Sequence, residues 1–116
     1  MSTEPIVNAQ RVDAPNAELQ LTIPHDLVYF RGHFPDAPIV AGVVQIKWAI
    51  ELAGRYLGVG GTFAGMEALK FQQVMRPGIT VTLSLRWADR DGKLHFVYQT
   101  DGARYGSGRL KFRQPS

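Results

Sequence analysis

The chain has 116 residues, 45% of them apolar, and 13 Lys+Arg against 10 Asp+Glu give a formal charge of +3. That length accommodates one compact domain, and the apolar content belongs to a folded chain rather than a disordered one. There is no cysteine, which excludes disulfides, thiolate chemistry and Cys-ligated zinc.

Residues 1–16 read as an N-terminal extension to a core over 17–113, the whole forming a single domain, 1–116. Met1-Ser2-Thr3-Glu4-Pro5 carries no basic segment followed by an apolar run, so no signal peptide is expected. The apolar stretch Ile39 to Ile50 is interrupted by Gln45 and Lys47 and is too short to cross a bilayer. The expected location is therefore the cytoplasm. Glu18 to Ile23 alternates polar and apolar, the period of a half-buried strand, and Pro24 ends it. Leu27 to Ala41 mixes Gly32, Pro35, Asp36 and Pro38 with aromatics and reads as an ordered, irregular loop.

From Gly42 to about Leu57 the spacing becomes helical. Ile46, Ala49, Ile50, Ala53 and Leu57 define an apolar face, and Val43, Val44, Trp48 and Leu52 widen it, so the helix is expected to be largely buried. Gly58, Gly60 and Gly61 supply the stop. Four strand-like segments follow, over Met66–Val74, Ile79–Trp87, Lys93–Thr100 and Ala103–Phe112. Pro77-Gly78, Asp91-Gly92 and Asp101-Gly102 separate them, the Asp-Gly pairs reading as tight hairpins with positive φ. The pattern is α+β: one long helix covering an antiparallel meander.

Arg104, Arg109, Lys111 and Arg113 concentrate basic charge in the last third. They read as solvated strand faces. No recognition helix or exposed aromatic set accompanies them, which argues against nucleic acid, whereas an acidic protein partner suits the charge.

The densest segment is Tyr29-Phe30-Arg31-Gly32-His33-Phe34-Pro35-Asp36-Ala37-Pro38-Ile39-Val40-Ala41-Gly42-Val43-Val44-Gln45. It resembles the β-hydroxyacyl-(acyl carrier protein) dehydratases, whose motif Gly-His-Phe-Pro-Gly-x-Pro-hydrophobic-x-Pro-Gly-Val leads into a central helix. Leu69-Lys70-Phe71-Gln72-Gln73-Val74-Met75-Arg76-Pro77-Gly78 resembles a second segment of the same family, and Trp48-Ala49 looks closest to the dehydratase-like proteins of aryl-polyene clusters. The resemblance spans roughly residues 19–113. It implies a hot-dog fold, an antiparallel sheet wrapped around one long central helix, and action on a 3-hydroxyacyl thioester carried by acyl carrier protein or CoA.

By that resemblance His33 is the catalytic histidine, suited by a pKa near neutrality to take a proton and return it. Gly42 offers its backbone N–H and the helix dipole to the thioester carbonyl. Phe34, Pro38 and Val43 are placed beside it as substrate-binding residues. Outside such a motif a lone histidine in an aromatic loop is an ordinary structural group; its neighbours Gly32, Phe34, Pro35, Pro38 and Gly42 favour the catalytic role. His25 and His95 have no motif and read as surface or structural, and no metal or cofactor is implied.

The family's acid lies fourteen residues beyond the histidine, and here that residue is Lys47. A lysine acts there as an acid only if burial lowers its pKa; otherwise it binds an anionic ligand, or the chain keeps an acyl pocket without catalysis. Lys47, Glu51 and Arg55 follow at one-turn spacing and read as a salt-bridged stripe, the alternative being that Glu51 reaches the site or tunes Lys47. Asp36 and Ala41 also depart from the motif, where the family has glycine and proline. The resemblance implies a homodimer or higher homo-oligomer in which Lys47 faces His33 of the other subunit. Non-catalytic binding of acyl thioesters or carrier protein, and thioester hydrolysis, are the alternative activities.

Overall fold

The computed structural model describes residues 3–27 and 39–114. One helix, α1 (Gly42–Leu57), lies against a six-stranded antiparallel sheet built from β1 (Ile6–Asp13), β2 (Asn16–Thr22), β3 (Thr62–Phe71), β4 (Thr80–Ala88), β5 (Lys93–Gln99) and β6 (Arg104–Arg113). This is the hot-dog arrangement. The strand order is β1-β2-β4-β5-β6-β3. Only β4-β5-β6 forms a meander, because β3 crosses to the far edge and pairs with β6. Among the described residues, no helix is long and apolar enough to cross a membrane.

Alternation decides which side of each central strand meets the helix. Leu19, Leu83 and Tyr98 align across β2, β4 and β5, with Ala17, Leu85 and Phe96 in the adjacent inner row. All six are at most 2% exposed. Trp48, Ala49, Leu52 and Ala53 of α1 press onto this surface, the helix crossing β2 and β4. The buried face of α1 is thus Val44, Gln45, Trp48, Ala49, Leu52 and Ala53. Ile46 and Ile50, which helical spacing assigned to the core face, lie beside it and are only half-buried. Gly58 ends the helix at φ 68, and its N–H is donated to the Ala53 carbonyl.

The segment read as an extension contributes β1, a strand that pairs with β2 at the sheet edge. Its residues are almost all exposed, so it carries no burial period to read. Ahead of it, Thr3 accepts the Trp48 indole N–H at 3.0 Å, and Glu4 pairs with Arg55 at 2.9 Å.

β3 contains two bulges, between Phe63 and Gly65 and between Glu67 and Lys70. They place Phe63, Met66 and Phe71 opposite Phe112, Leu110 and Gly106. The extra residues therefore put side chains at irregular spacing on the same face, and they hide the start of the strand from a period-two reading. The Asp-Gly pairs also differ from tight hairpins. Asp89–Asp91 is a 3-10 turn closed by Gly92 at φ 64, while neither Asp101 nor Gly102 takes a positive φ and Thr100 N–H bonds the Ala103 carbonyl at 2.8 Å.

Gly106 of β6 lies against Gln45 of α1 and Phe71 of β3. A Cβ there would collide with Gln45 Oε1 and lie 3.1 Å from the Phe71 ring. Gly106→Ala should cost about 1–3 kcal/mol by overpacking, read as a lower thermal midpoint. Gln45→Ala in the same chain should recover part of that loss.

On the opposite face Glu67 accepts Lys93 at 2.7 Å and Arg109 at 3.1 Å. Hydrogen bonds from Lys93 and then Arg109 hold its carboxyl down at about 2, against an ordinary 4.5. A depressed folded-state pKa adds stability that is present above the unfolded value and disappears as pH falls through the folded one. The urea midpoint of the wild type should therefore fall between about pH 4.5 and 2 more steeply than that of Glu67→Gln.

Candidate active site

The first turn of α1 is the natural place for an oxyanion. Ala41 precedes it in extended conformation, no side chain caps it, and no acidic residue lies in the first turn. The Val44 and Gln45 amides take the Ala41 carbonyl at 3.0 and 3.1 Å. The Gly42 and Val43 amides are left without an intrahelical acceptor, at the positive end of the helix dipole.

Buried polar contacts seat this turn. Tyr98, fully buried, donates its hydroxyl to the Gln45 carbonyl at 2.6 Å, and burial raises its pKa well above the usual phenol value. The Gln45 side-chain amide donates to the Val40 carbonyl at 3.1 Å, and Val40 N–H in turn bonds the Met75 carbonyl at 2.8 Å. Gln45 Oε1 is buried and has no hydrogen-bond partner among the described residues. In the sequence Gln45 interrupts an apolar run. In the structure it is 2% exposed and ties the helix to the segment before it.

Beside the first turn, α1 and β3 enclose a groove of about 550 Å³ lined by Gly42, Val43, Ile46, Ile50, Met66 and Phe71, with Lys47, Glu51 and Phe63 completing it. Its walls are mostly apolar, and Val43 is 72% exposed. A smaller cleft of about 210 Å³ lies on the other side, lined by Ile39 to Gly42, Gln45 and Phe71 to Val74. Gly42 and Phe71 border both spaces. A Cβ on Gly42 would come within 2.8 Å of the Phe71 ring, so the absent side chain lets the ring rest over the helix terminus.

Of the residues singled out in the sequence, Gly42, Val43, Lys47 and Glu51 come together around this groove. His33, Phe34 and Pro38 lie outside the described residues, as do Asp36 and most of the loop around them. Lys47 and Glu51 pair at 2.8 Å, with side chains 47% and 42% exposed. Among the described residues both side chains are thus about half-exposed. Phe63, Met66 and Phe71 escaped the sequence reading as site residues because the β3 bulges break the alternation that would have assigned them a common face. Among the described residues no group of acidic, histidine or cysteine side chains could hold a metal ion.

The profile of the ApeI-like family, described as ApeI dehydratase, matches residues 9–109. This chain belongs to the ApeI-like dehydratase family. The dehydratase heterocomplex ApeI:P from Xenorhabdus doucetiae superposes with a TM-score of 0.86 at 35% identity, covering 93% of this chain and 96% of that one. An uncharacterised protein from Erwinia carotovora superposes at 0.80 with 33% identity, over 92% and 94% of the two chains. The 3-hydroxyacyl-[acyl-carrier-protein] dehydratase FabZ of Oenococcus oeni is 33% identical, over 72% of this chain and 68% of its own. Its counterpart in Caldanaerobacter subterraneus is 36% identical, but that match spans 49% and 45%. The ApeI-like membership thus rests on most of the chain, and it supports a dehydratase-like function on 3-hydroxyacyl substrates.

If Phe71 rests on Gly42, removing the ring should relieve the added methyl. Gly42→Ala and Phe71→Ala should therefore be non-additive in thermal denaturation, with a coupling of about 0.5–3 kcal/mol. Strictly additive losses would show that the ring does not bear on the helix terminus.

Proposed function

We propose that this chain acts on 3-hydroxyacyl thioesters as a dehydratase-like subunit, in a site completed by a second hot-dog chain laid over the α1–β3 groove. The observation that carries the reading is the uncapped start of α1 opening onto an apolar groove of acyl-chain dimensions. Dehydration breaks the C2–H and C3–O bonds and yields a 2-enoyl thioester and water. His33 takes the C2 proton. The Gly42 amide holds the carbonyl oxygen as negative charge builds on it, an interaction that strengthens towards the transition state. Phe34, Pro38 and Val43 line the acyl chain.

The leaving hydroxyl needs a proton, and Lys47, with Glu51 one turn away, occupies the acid's place. Covering the groove would bury both side chains. The covering chain is a second copy in the homodimer that the family resemblance implies. The Xenorhabdus doucetiae relative is a dehydratase heterocomplex, which supports a different chain in the covering position as the other arrangement. Lys47 itself favours a second reading, in which the chain binds acyl thioesters or their carrier protein, in the cytoplasm, without turning them over.

Hydration and dehydration of a short 3-hydroxyacyl/2-enoyl thioester pair decides between them. Under the first reading the wild type interconverts the pair, and His33→Ala loses roughly 10²–10⁴-fold. A silent wild type whose Lys47→Glu variant turns over would establish the binding role on an intact scaffold. Release of free thiol without enoyl product would instead make the protein a thioesterase.

A further inference from the structure

Phe71 ends β3 on the inner face of the sheet, where strict alternation would not put it. Met66 pairs with Leu110 and Phe71 with Gly106, five residues further along β3 but only four along β6. The extra residue lies in the bulge between Glu67 and Lys70. Within it Ala68 takes φ 55, a left-handed conformation that is unfavourable for any residue with a Cβ. Without the bulge the ring would turn to the outer face. The Gln72 N–H, bonded to the Tyr105 carbonyl at 2.8 Å, fixes the backbone just beyond it.

Two glycines from different elements clear the space that this ring fills. A Cβ on Gly42 of α1 would lie 2.8, 2.9 and 3.1 Å from ring atoms Cζ, Cε2 and Cε1. A Cβ on Gly106 of β6 would lie 3.1 and 3.2 Å from Cδ1 and Cε1. An aromatic ring over a cross-strand glycine is a recurrent way of packing a sheet, and it accounts for Gly106. It does not account for the tip of the ring reaching the first turn of the helix, nor for a residue so held remaining 45% exposed. Phe71 borders both the groove of about 550 Å³ and the cleft of about 210 Å³, and Gly42 is the other residue they share. The ring is therefore a wall between the two spaces.

We propose that Phe71 is a specificity-determining residue that excludes acyl thioesters branched at C2. The inference rests on the dehydratase-like reading, which puts the thioester carbonyl on the Gly42 amide. With that oxygen about 3 Å from the amide nitrogen, C2, two bonds away, lies against the ring. The acyl chain continues along the groove past Met66. A substituent on C2 would have to enter the smaller cleft through the place the ring fills. Dehydration itself tolerates such a branch, since one C2 hydrogen remains to be removed, so the exclusion is steric.

The test compares butanoyl-CoA with 2-methylpropanoyl-CoA, which contain the same atoms and differ only in the branch at C2. Neither has a 3-hydroxyl, so calorimetric binding to the full chain is read without turnover. Conversion of 3-hydroxybutanoyl-CoA in the same preparation reports separately on the dehydratase-like reading. The wild type should bind the straight chain roughly tenfold or more tighter than the branched one. Phe71→Ala should bring the two affinities close together, and Phe71→Leu, with an apolar side chain of shorter reach, should fall between. Met66→Ala, further along the same groove, should weaken both thioesters and leave their ratio. That pattern with no conversion of 3-hydroxybutanoyl-CoA would support the wall and sink the dehydration. The proposal is overturned if the wild type binds both thioesters alike or neither, or if the ratio survives in Phe71→Ala and Phe71→Leu. Loss of the ratio in Met66→Ala would overturn it too.

Discussion

The seating of the first turn of α1 is the constraint on which the rest of the molecule turns. A helix terminus can stabilise developing charge only if its amides are held still and no neighbouring side chain occupies them. Tyr98 from β5 and Val40 from the preceding segment both bond to Gln45, and Gly106 makes room for it on β6. Three separated parts of the chain therefore fix the orientation of Gly42. A glycine in a strand interior weakens the fold. It is tolerated because a larger residue at position 106 would displace the side chain that holds the helix in place.

Having been fixed on one side, the helix remains apolar on another. Val43, Ile46 and Ile50 face Phe63, Met66 and Phe71 across a groove, and several of these side chains stay substantially exposed. A patch of this kind is characteristic of an interaction surface or a ligand groove. Lys47 and Glu51 sit at its edge, where an exposed ion pair contributes little stability. Covering the groove would remove water from that pair and make its charges consequential. The environment of Lys47 thus depends on what lies over it.

The helix Gly42–Leu57 and strand β4 were legible because each has a clean period over many residues. What periodicity could not supply was which apolar side of the helix meets the sheet. Ile46 and Ile50 are spaced like core residues and yet border the groove, because a helix that serves two surfaces has two apolar stripes. β3 was misplaced at its start by bulges that local sequence does not announce, and its position beyond β6 depends on pairings distant in sequence. Gln45 was obscured by its polarity. Its burial follows from partners on β5 and before the helix, which no window around residue 45 contains.

The same limit applies to the basic residues. Arg104, Arg109, Lys111 and Arg113 stand out as a run in the last third, but charge along one strand says little about a surface. Antiparallel pairing selects Arg109 from that run and sets it beside His95 and Arg86, from two other strands. Alternation then separates the two roles of the sheet. Its inner face presents Leu, Phe and Tyr side chains that seat the helix, and its outer face carries charges the helix cannot neutralise. Because backbone pairing fixes both faces at once, a register slip that exposed the core would also scatter the basic row. The hydrophobic requirement on one side therefore preserves the electrostatic pattern on the other.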